Sequence, residues 1–161
     1  MSLGVRMNKK ILSIAAIGIL IDQLVKILLV IVVKDEIVII KDFFYFHYVK
    51  NAGGAWGIFG NHTYVLAIMS IIILLGIVYY ICKEKVLTKW LIVSYGLLLA
   101  GIIGNLIDRL LFGYVRDFFD FYIFSYDFPV FNVADICIVV SVFMLIIETV
   151  RSEFNEHNSK C

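Results

Sequence analysis

The sequence has few charged residues, few cysteines and almost no proline. Charged residues make up 17% of the 161 positions and hydrophobic residues 62%, whereas a soluble domain is nearer one quarter charged and half apolar. A net charge of +1, without a basic stripe among aromatic residues, argues against a nucleic-acid-binding surface. The three cysteines lie far apart, which argues against a disulfide framework or a CxxC metal site. The length favours a single domain over residues 1–161.

Long apolar runs dominate the chain instead. A helix needs about 20 apolar residues to cross a bilayer, and the four stretches of suitable length are 11–33, 63–82, 87–106 and 130–147. Backbone groups inside a bilayer must bond within their own segment, so we expect helices. The predicted fold class is an all-α integral membrane protein with four transmembrane helices. Residues 1–6 read like a cloning remnant before a natural start at Met7.

Lysine and arginine residues beside the spans predict the orientation. Eight of them lie at the termini and in the loop between spans two and three, against five in the longer loops 34–62 and 107–129. Positive residues favour the cytoplasmic side. We therefore expect both termini in the cytoplasm and both longer loops outside.

The two outer loops are rich in aromatic residues. The segment 43–48 (FFYFHY) precedes a glycine-rich turn, and its alternation predicts a small extracytoplasmic β-sheet on the membrane surface. Ten of the twenty residues from 112 to 131 are aromatic, which favours the headgroup level and predicts an interfacial helix or loop. The loops are either an ordinary interfacial belt or a platform that receives a lipid-bearing substrate.

The first span carries charged residues that hydrocarbon does not favour. An ionisable group there costs on the order of 3 kcal/mol, so it indicates pairing or function. Asp22 and Lys26 are spaced i,i+4 and share a helix face. They form either a structural ion pair or part of a functional polar patch, which Gln23 would join.

Further polar residues gather where spans three and four meet the outer interface. Span three runs outward and span four inward, which brings one set of residues to a similar depth: Asn105, Asp108, Arg109, Asp117, Asn132 and Asp135. Asn132 and Asp135 are spaced i,i+3 and can share a helix face. Asp108 beside Arg109 predicts a salt bridge that fixes the loop. Asp120 and Asp127 are interpreted as surface charges.

Carboxylates are the catalytic groups that this cluster offers. The chain has no HExxH sequence, and its serines within the spans have no histidine or lysine at their depth. Two carboxylates held close share a proton and supply a base beside an acid. Such a pair hydrolyses an amide through water, without a metal or cofactor. The residues alone do not select Asp117 and Asp135 from the other acids.

Five short motifs are spread over nearly the whole chain. They are DQLVK at 22–26, NAGGAWG at 51–57, GNLIDR at 104–109, VRDF at 115–118 and FNVAD at 131–135. In order and spacing they resemble the motifs of the bacterial lipoprotein signal peptidase family, also called signal peptidase II. Each motif alone is weak, but five in register are specific.

The resemblance implies a four-helix aspartic protease of the bacterial inner (cytoplasmic) membrane, with its active site near the outer leaflet. Its substrates would be prolipoproteins, cleaved just before a diacylglyceryl-modified cysteine in contact with membrane lipid, and globomycin would inhibit it. The catalytic pair maps onto Asp117 and Asp135. Residues matching positions that bind substrate or support the site are Asn51, Gly53, Asn105, Asp108, Arg109, Asn132, Ala134, Asp22 and Lys26.

Small departures from the family pattern leave the catalytic pair intact. Gly54 replaces an alanine, Trp56 stands where many members have phenylalanine, and Arg116 where many have valine. Arg116 would lower the pKa of Asp117 if it pointed inward.

Two rival functions remain open from the sequence. One is a small transporter or ion-relay subunit that uses the intramembrane charges. The other is a non-catalytic scaffold that binds lipoproteins without cutting them.

Overall fold

A computed structural model describes the backbone of residues 7–54, 58, 60, 62–84, 86–124 and 126–159, and side chains as far as residue 155. Some features used above lie outside the described residues: the segment 1–6, Trp56, and two of the flanking lysines counted for the orientation, Lys85 and Lys160.

Four long helices form the body of the molecule. They are α1 (Lys9–Val32), α2 (Thr63–Lys83), α3 (Lys89–Phe112) and α4 (Val133–Ser159). All four are long and apolar enough to cross a membrane, α4 through the stretch Val133–Asn155. The predicted fold class is confirmed.

The bounds of two helices differ most from the prediction. Helix α3 continues to Phe112, past the expected end at 106, because protein groups bury and bond the polar side chains of its last turns. Helix α4 begins at Val133 rather than 130, after Asn132, and continues to Ser159 rather than 147. Its last turns are polar but remain helical, so the end of the apolar stretch does not coincide with the end of the helix.

Helix α3 occupies the centre of the bundle. It packs against α1, α2 and α4, and about 61% of its apolar window is buried, compared with 11% for α2. Small residues allow the close approach: a Cβ added to Gly18 of α1 would lie 2.6 Å from Ala100 Cβ of α3. Small-residue contacts are typical of helix packing in membranes. The outward faces stay apolar, as expected of surfaces that contact lipid.

An antiparallel sheet sits at one end of the bundle. Its strand order is β1 (Ile37–Ile40), β2 (Phe44–Asn51), β3 (Val115–Ile123) and β4 (Tyr126–Asp127). The sheet predicted in the first outer loop is confirmed. The second loop, predicted as an interfacial helix or loop, instead supplies β3, which pairs with β2. Its run of aromatic and β-branched residues fits a pleated strand, and the aromatic count alone did not indicate that pairing.

The two faces of the sheet differ in chemistry. Phe44 stacks on Phe121 at 4.4 Å between ring centroids, and Phe121 stacks on Phe131 at 5.7 Å. Side chains alternate along a strand, so Asp117, Phe119 and Phe121 share this face. Asp120 and Tyr122 lie on the other.

Candidate active site

The polar residues of α3, β3 and α4 meet at the sheet end of the bundle. Asp117 lies in β3 and Asp135 in the first turn of α4. Both line one cavity of about 460 Å³. The cavity also has an apolar wall, formed by Val115, Phe128, Pro129, Val130, Phe131, Ile136, Val139 and Val140.

Asp117 is held by neutral amide donors. Its side chain is buried, with the residue 1% exposed. Asn51 Nδ2 donates to Oδ2 at 2.8 Å, and Asn132 Nδ2 donates to Oδ1 at 2.6 Å. Burial, followed by the nearby charge of Asp135, raises the pKa of Asp117 to about 7, although both amide hydrogen bonds act to lower it. Near neutral pH this carboxyl therefore exchanges its proton readily.

Asp135 is fixed by the start of its own helix. Asn105 Nδ2 donates to Asp135 Oδ1 at 2.7 Å, and the backbone N–H of Asn132 donates to Oδ2 at 3.1 Å. The Asp135 N–H in turn donates to Asn132 Oδ1 at 3.1 Å. This reciprocal arrangement is a capping box, which satisfies donors that a helix start leaves open. The FNVAD motif thus orients the carboxylate while it begins α4.

Two asparagines connect the acids. Asn132 Nδ2 donates to Asn105 Oδ1 at 3.1 Å as well as to Asp117. Lys26 Nζ also donates to Asn105 Oδ1, at 3.1 Å. Because both donors require an oxygen there, the Asn105 amide must point its nitrogen at Asp135. Lys26 therefore fixes the amide that holds Asp135. Within the described residues, Lys26 itself makes no hydrogen bond or ion pair with Asp117 or Asp135.

Asn51 is oriented by the turn that follows it. The Gly53 N–H donates to Asn51 Oδ1 at 3.1 Å, an Asx-type contact. The amide nitrogen is left facing Asp117. Asn51 and Gly53 therefore act together at this edge of the cavity.

A separate ionic cluster lies beside the pair. Lys26 Nζ is 2.9 Å from Asp22 Oδ2 and 3.3 Å from Asp108 Oδ2. Arg116 Nη2 is 2.7 Å from Asp108 Oδ1, and it also donates to Gln23 Oε1 at 2.8 Å. All four charged side chains are almost fully buried. Asp22 and Lys26 thus form an ion pair, and through Asn105 it is connected to the residues around Asp117 and Asp135.

The predicted salt bridge between Asp108 and Arg109 is wrong. Within the described residues, Asp108 pairs with Lys26 and Arg116. Arg116 follows the α3–β3 turn, and its side chain reaches back to Asp108. Arg109 instead lines the cavity, and its Nη1 lies 3.5 Å from the Asn105 carbonyl oxygen. Arg116 is occupied by Asp108, so it does not hold the pKa of Asp117 down.

Asp22 also supports the start of α4. Its Oδ1 accepts from the Ala134 N–H at 2.9 Å. A Cβ added to Gly104 would lie 2.7 Å from Asp22 Oδ2 and 3.2 Å from Ala134 Cβ. The small residues of the GNLIDR and FNVAD motifs therefore create the space that this carboxylate occupies.

One of the two acids predicted to be surface charges is buried. Asp127 is exposed, as predicted, but Asp120 is only 2% exposed. It lies on β3 opposite Tyr45 of β2, with the His47 Nδ1 atom 3.4 Å from its Oδ2. The buried position of Asp120 follows from the pairing of β3 with β2, and the aromatic composition of this segment did not predict that pairing.

Comparisons with known proteins agree with this geometry. The family model described as Signal peptidase (SPase) II matches residues 14–151. A lipoprotein signal peptidase of Clostridium acetobutylicum is 43% identical over 137 residues, covering 83% of this chain and 89% of the relative. One from Staphylococcus aureus is 36% identical over 149 residues, covering 91% of each.

Two solved structures described as bacterial membrane enzymes share the fold. The first, at 2.3 Å resolution, has a TM-score of 0.82 and 36% identity over 90% of both chains. The second, at 1.9 Å, has a TM-score of 0.77 and 37% identity, over 86% of this chain and 91% of that one. The match over most of the length, on a four-helix fold with paired acids in one cavity, shows that the chain belongs to the signal peptidase II family of aspartic membrane peptidases.

Proposed function

We propose that Asp117 and Asp135 are the catalytic pair of an endopeptidase that removes signal peptides from diacylglyceryl-modified prolipoproteins. Cleavage occurs just N-terminal to the lipidated cysteine. One observation carries the assignment: the buried Asp117 and the partly buried Asp135 line one cavity, and within the described residues their carboxylates accept hydrogen bonds from amides rather than from cations. An acid held this way can give up and take back a proton, which a salt-bridged acid cannot do easily.

The pair works by moving protons. In the active state one carboxyl is protonated and the other ionised, and the titration belongs to the pair. The ionised group takes a proton from water as that water attacks the scissile carbonyl carbon. The protonated group donates to the developing oxyanion. The roles then reverse, and the leaving amine takes a proton as the C–N bond breaks.

The cavity is suited to a substrate that arrives from lipid. Its apolar wall includes Ile136, Val139 and Val140, which lie along α4 and remain partly exposed on its outer side. A signal-peptide helix can therefore approach sideways from the bilayer, with membrane lipid along the same route. The aromatic face of the sheet, around Phe121 and Phe131, receives the acyl chains.

The remaining members of the site hold the pair or the substrate backbone. Asn51, Asn105 and Asn132 orient the acids, and Arg109 faces the scissile segment from the cavity wall. The supporting residues are Asp22, Lys26, Gly53, Asp108 and Ala134.

We place the enzyme in the bacterial cytoplasmic membrane, with both termini inside and the pair near the outer leaflet. The excess of lysine and arginine at the termini and in the α2–α3 loop supports this orientation. The sheet and the acids lie at the opposite end of the helices.

The relay alternative is not favoured by the distribution of polar groups. An ion pathway needs them through the whole depth of the bilayer. Here the buried acids gather at one end, and α2 carries its single charged residue, Lys83, in its last turn.

A cleavage assay in detergent micelles tests the proposal. The substrate is a prolipoprotein peptide with a diacylglyceryl cysteine, compared with the same peptide carrying a free cysteine. Mass spectrometry should find the cut immediately before the lipidated residue, far faster than for the free cysteine, and globomycin should block it. Binding of the lipidated peptide without any product would identify a scaffold and overturn the proposal.

A further inference from the structure

We propose that Glu36, His47 and Asp120 form a divalent-cation site that takes Zn²⁺ on the face of the sheet opposite the catalytic pair. One donor atom from each residue lies within 4.8 Å of the other two. The catalytic mechanism uses none of these side chains. The site is independent of the proposed function.

The sheet topology brings the three residues together. Ile37 of β1 pairs with Phe46 of β2, so Glu36 follows in register opposite His47. Tyr45 of β2 pairs with Asp120 of β3, which places His47 two residues along on the same face. The residue just before β1 and one residue each of β2 and β3 thus contribute the three ligands, although Glu36 and Asp120 are 84 residues apart in sequence.

Asp120 is the observation that points to a ligand. The residue is 2% exposed, and its Oδ1 atom accepts no hydrogen bond from the described part of the chain. A buried carboxylate oxygen normally has a partner. Its other oxygen faces His47, whose side chain is 50% exposed. A cation bound by the Asp120 carboxylate beside His47 would give the unpaired oxygen a partner.

The electrostatics of this face favour a cation. The carboxylates of Glu36 and Asp127 both lie close enough to act on Asp120, so three acids and one histidine share this face. Two carboxylates and a neutral imidazole carry a charge that balances a divalent ion. A pocket beside them is lined by Glu36, Asp42, Tyr45 and Tyr122, which leaves room for water to complete the coordination.

The donor set selects the kind of metal. An imidazole nitrogen with two carboxylate oxygens suits Zn²⁺, whereas Mg²⁺ and Ca²⁺ prefer oxygen alone. Zn²⁺ ligands lie about 2.0–2.2 Å from the ion, so the side chains must draw together from the present spacing. Glu36 and His47 are exposed and can rotate, while Asp120 is fixed in the strand.

Zinc titration of the tag-free, chelator-treated protein in detergent micelles tests the site. Isothermal titration and elemental analysis should give one Zn²⁺ per chain, with micromolar or tighter affinity and much weaker binding of Mg²⁺. At a hundredfold excess over Kd the thermal midpoint should rise by about 5 °C. Hydrogen exchange should slow in β1, an edge strand that the ion would tie to β3.

Substitutions at exposed ligands separate binding from folding. His47→Asn and Glu36→Gln should each weaken zinc binding at least tenfold while the metal-free thermal midpoint stays unchanged. Asp120→Asn should do the same from the buried side. Matched controls are His62→Asn and Asp42→Asn, an outer histidine and a nearby acid outside the triad, and both should bind as the unsubstituted protein does.

A further control separates this site from the catalytic acids. The double variant Asp117→Asn/Asp135→Asn should keep its zinc affinity. Absence of zinc binding, equal affinity in His47→Asn, or loss in the double variant would each overturn the inference.

Discussion

Two groups of acids lie side by side at the sheet end of the bundle, and they are built in opposite ways. The ionic cluster comprises Asp22, Lys26, Asp108 and Arg116, in which two carboxylates meet two cations. The proposed catalytic pair comprises Asp117 and Asp135, whose hydrogen bonds come from asparagine side chains and a backbone N–H. Arg116 and Asp117 are adjacent in β3, so a single strand serves both groups.

The difference shows how one fold separates structural from reactive carboxylates. A carboxylate beside a cation holds its charge and its place. A buried carboxylate with only neutral donors, next to a second acid, keeps a proton within reach at neutral pH. The cluster still affects the pair, since Lys26 donates to both Asp108 and the Asn105 amide.

The largest effect should come from removing either reactive acid. Asp117→Asn and Asp135→Asn should each lower kcat/KM for the lipidated peptide by about 10³-fold or more, because each deletes one proton donor or acceptor. Neither variant loses a cation partner, so both should remain folded. Asp127→Asn, at an exposed acid of the same sheet, is the matched control and should keep full activity.

Retained activity in either variant would remove that residue from the pair. Loss of the folded state, read from the thermal midpoint in micelles, would place it with the structural acids instead.

Much of the fold was predictable because membrane helices leave a strong signal. Four apolar runs and the alternation of residues 43–48 correctly predicted the helices and the first part of the sheet. The end of α3 was missed because its last polar residues are buried against other parts of the protein. The end of α4 was missed because its last turns are polar and exposed. Hydropathy does not distinguish those cases from a loop.

The site was predictable only in part, and for a physical reason. The span directions bring Asn105, Asp108, Asn132 and Asp135 to a similar depth, but depth does not specify partners. Arg116 rather than Arg109 pairs with Asp108, since the α3–β3 turn folds β3 back onto the helix. Asp120 was taken for a surface charge because the strand that buries it was not recognised.

Breaking the ionic cluster should cost stability first. Lys26→Met leaves Asp22 and Asp108 short of a cation inside the protein, and removing one partner of a buried pair costs about 3–5 kcal/mol. Thermal or denaturant unfolding in micelles measures this loss. Lys34→Met, at an exposed lysine just beyond α1, should change stability little.

Restoring balance sharpens that test. In the double variant Asp22→Asn/Lys26→Met one charge of each sign is absent, so part of the lost stability should return. Equal stability of Lys26→Met and the unsubstituted protein would show that the cluster contributes nothing as an ion pair.

Asn132 joins the two groups, and its loss should give an intermediate effect. Asn132→Ala removes the donors to Asp117 and Asn105 and the side-chain cap of α4. We expect kcat to fall about 10–100-fold, mainly through misplaced acids, with a capping loss of about 1 kcal/mol. Ser141→Ala, in the same helix, removes a bond to Ile138 but should leave kcat unchanged. Equal kcat in both variants would contradict a positioning role.

The most gradual effect should appear in the pH dependence of stability. The pKa of Asp117 is raised from 3.8 to about 7, so the folded protein binds more protons than the unfolded chain between these values. Stability attributable to this group is therefore greatest at low pH and declines as pH rises towards 7, by about 1.4 kcal/mol per pKa unit at most. Asp117→Asn should lose this slope, in contrast to Asp127→Asn.

The alkaline limit of activity depends on the same proton. Once the pair holds no proton it has no acid to donate, so kcat/KM should fall as pH rises above about 7. Asn51 donates to Asp117 and lowers its pKa, so Asn51→Ala should move the alkaline limb upward by about one unit or less. A downward shift of the alkaline limb would mean that Asn51 favours the protonated form of Asp117. The amide hydrogen bonds would then not explain why the proton of the pair exchanges near neutral pH.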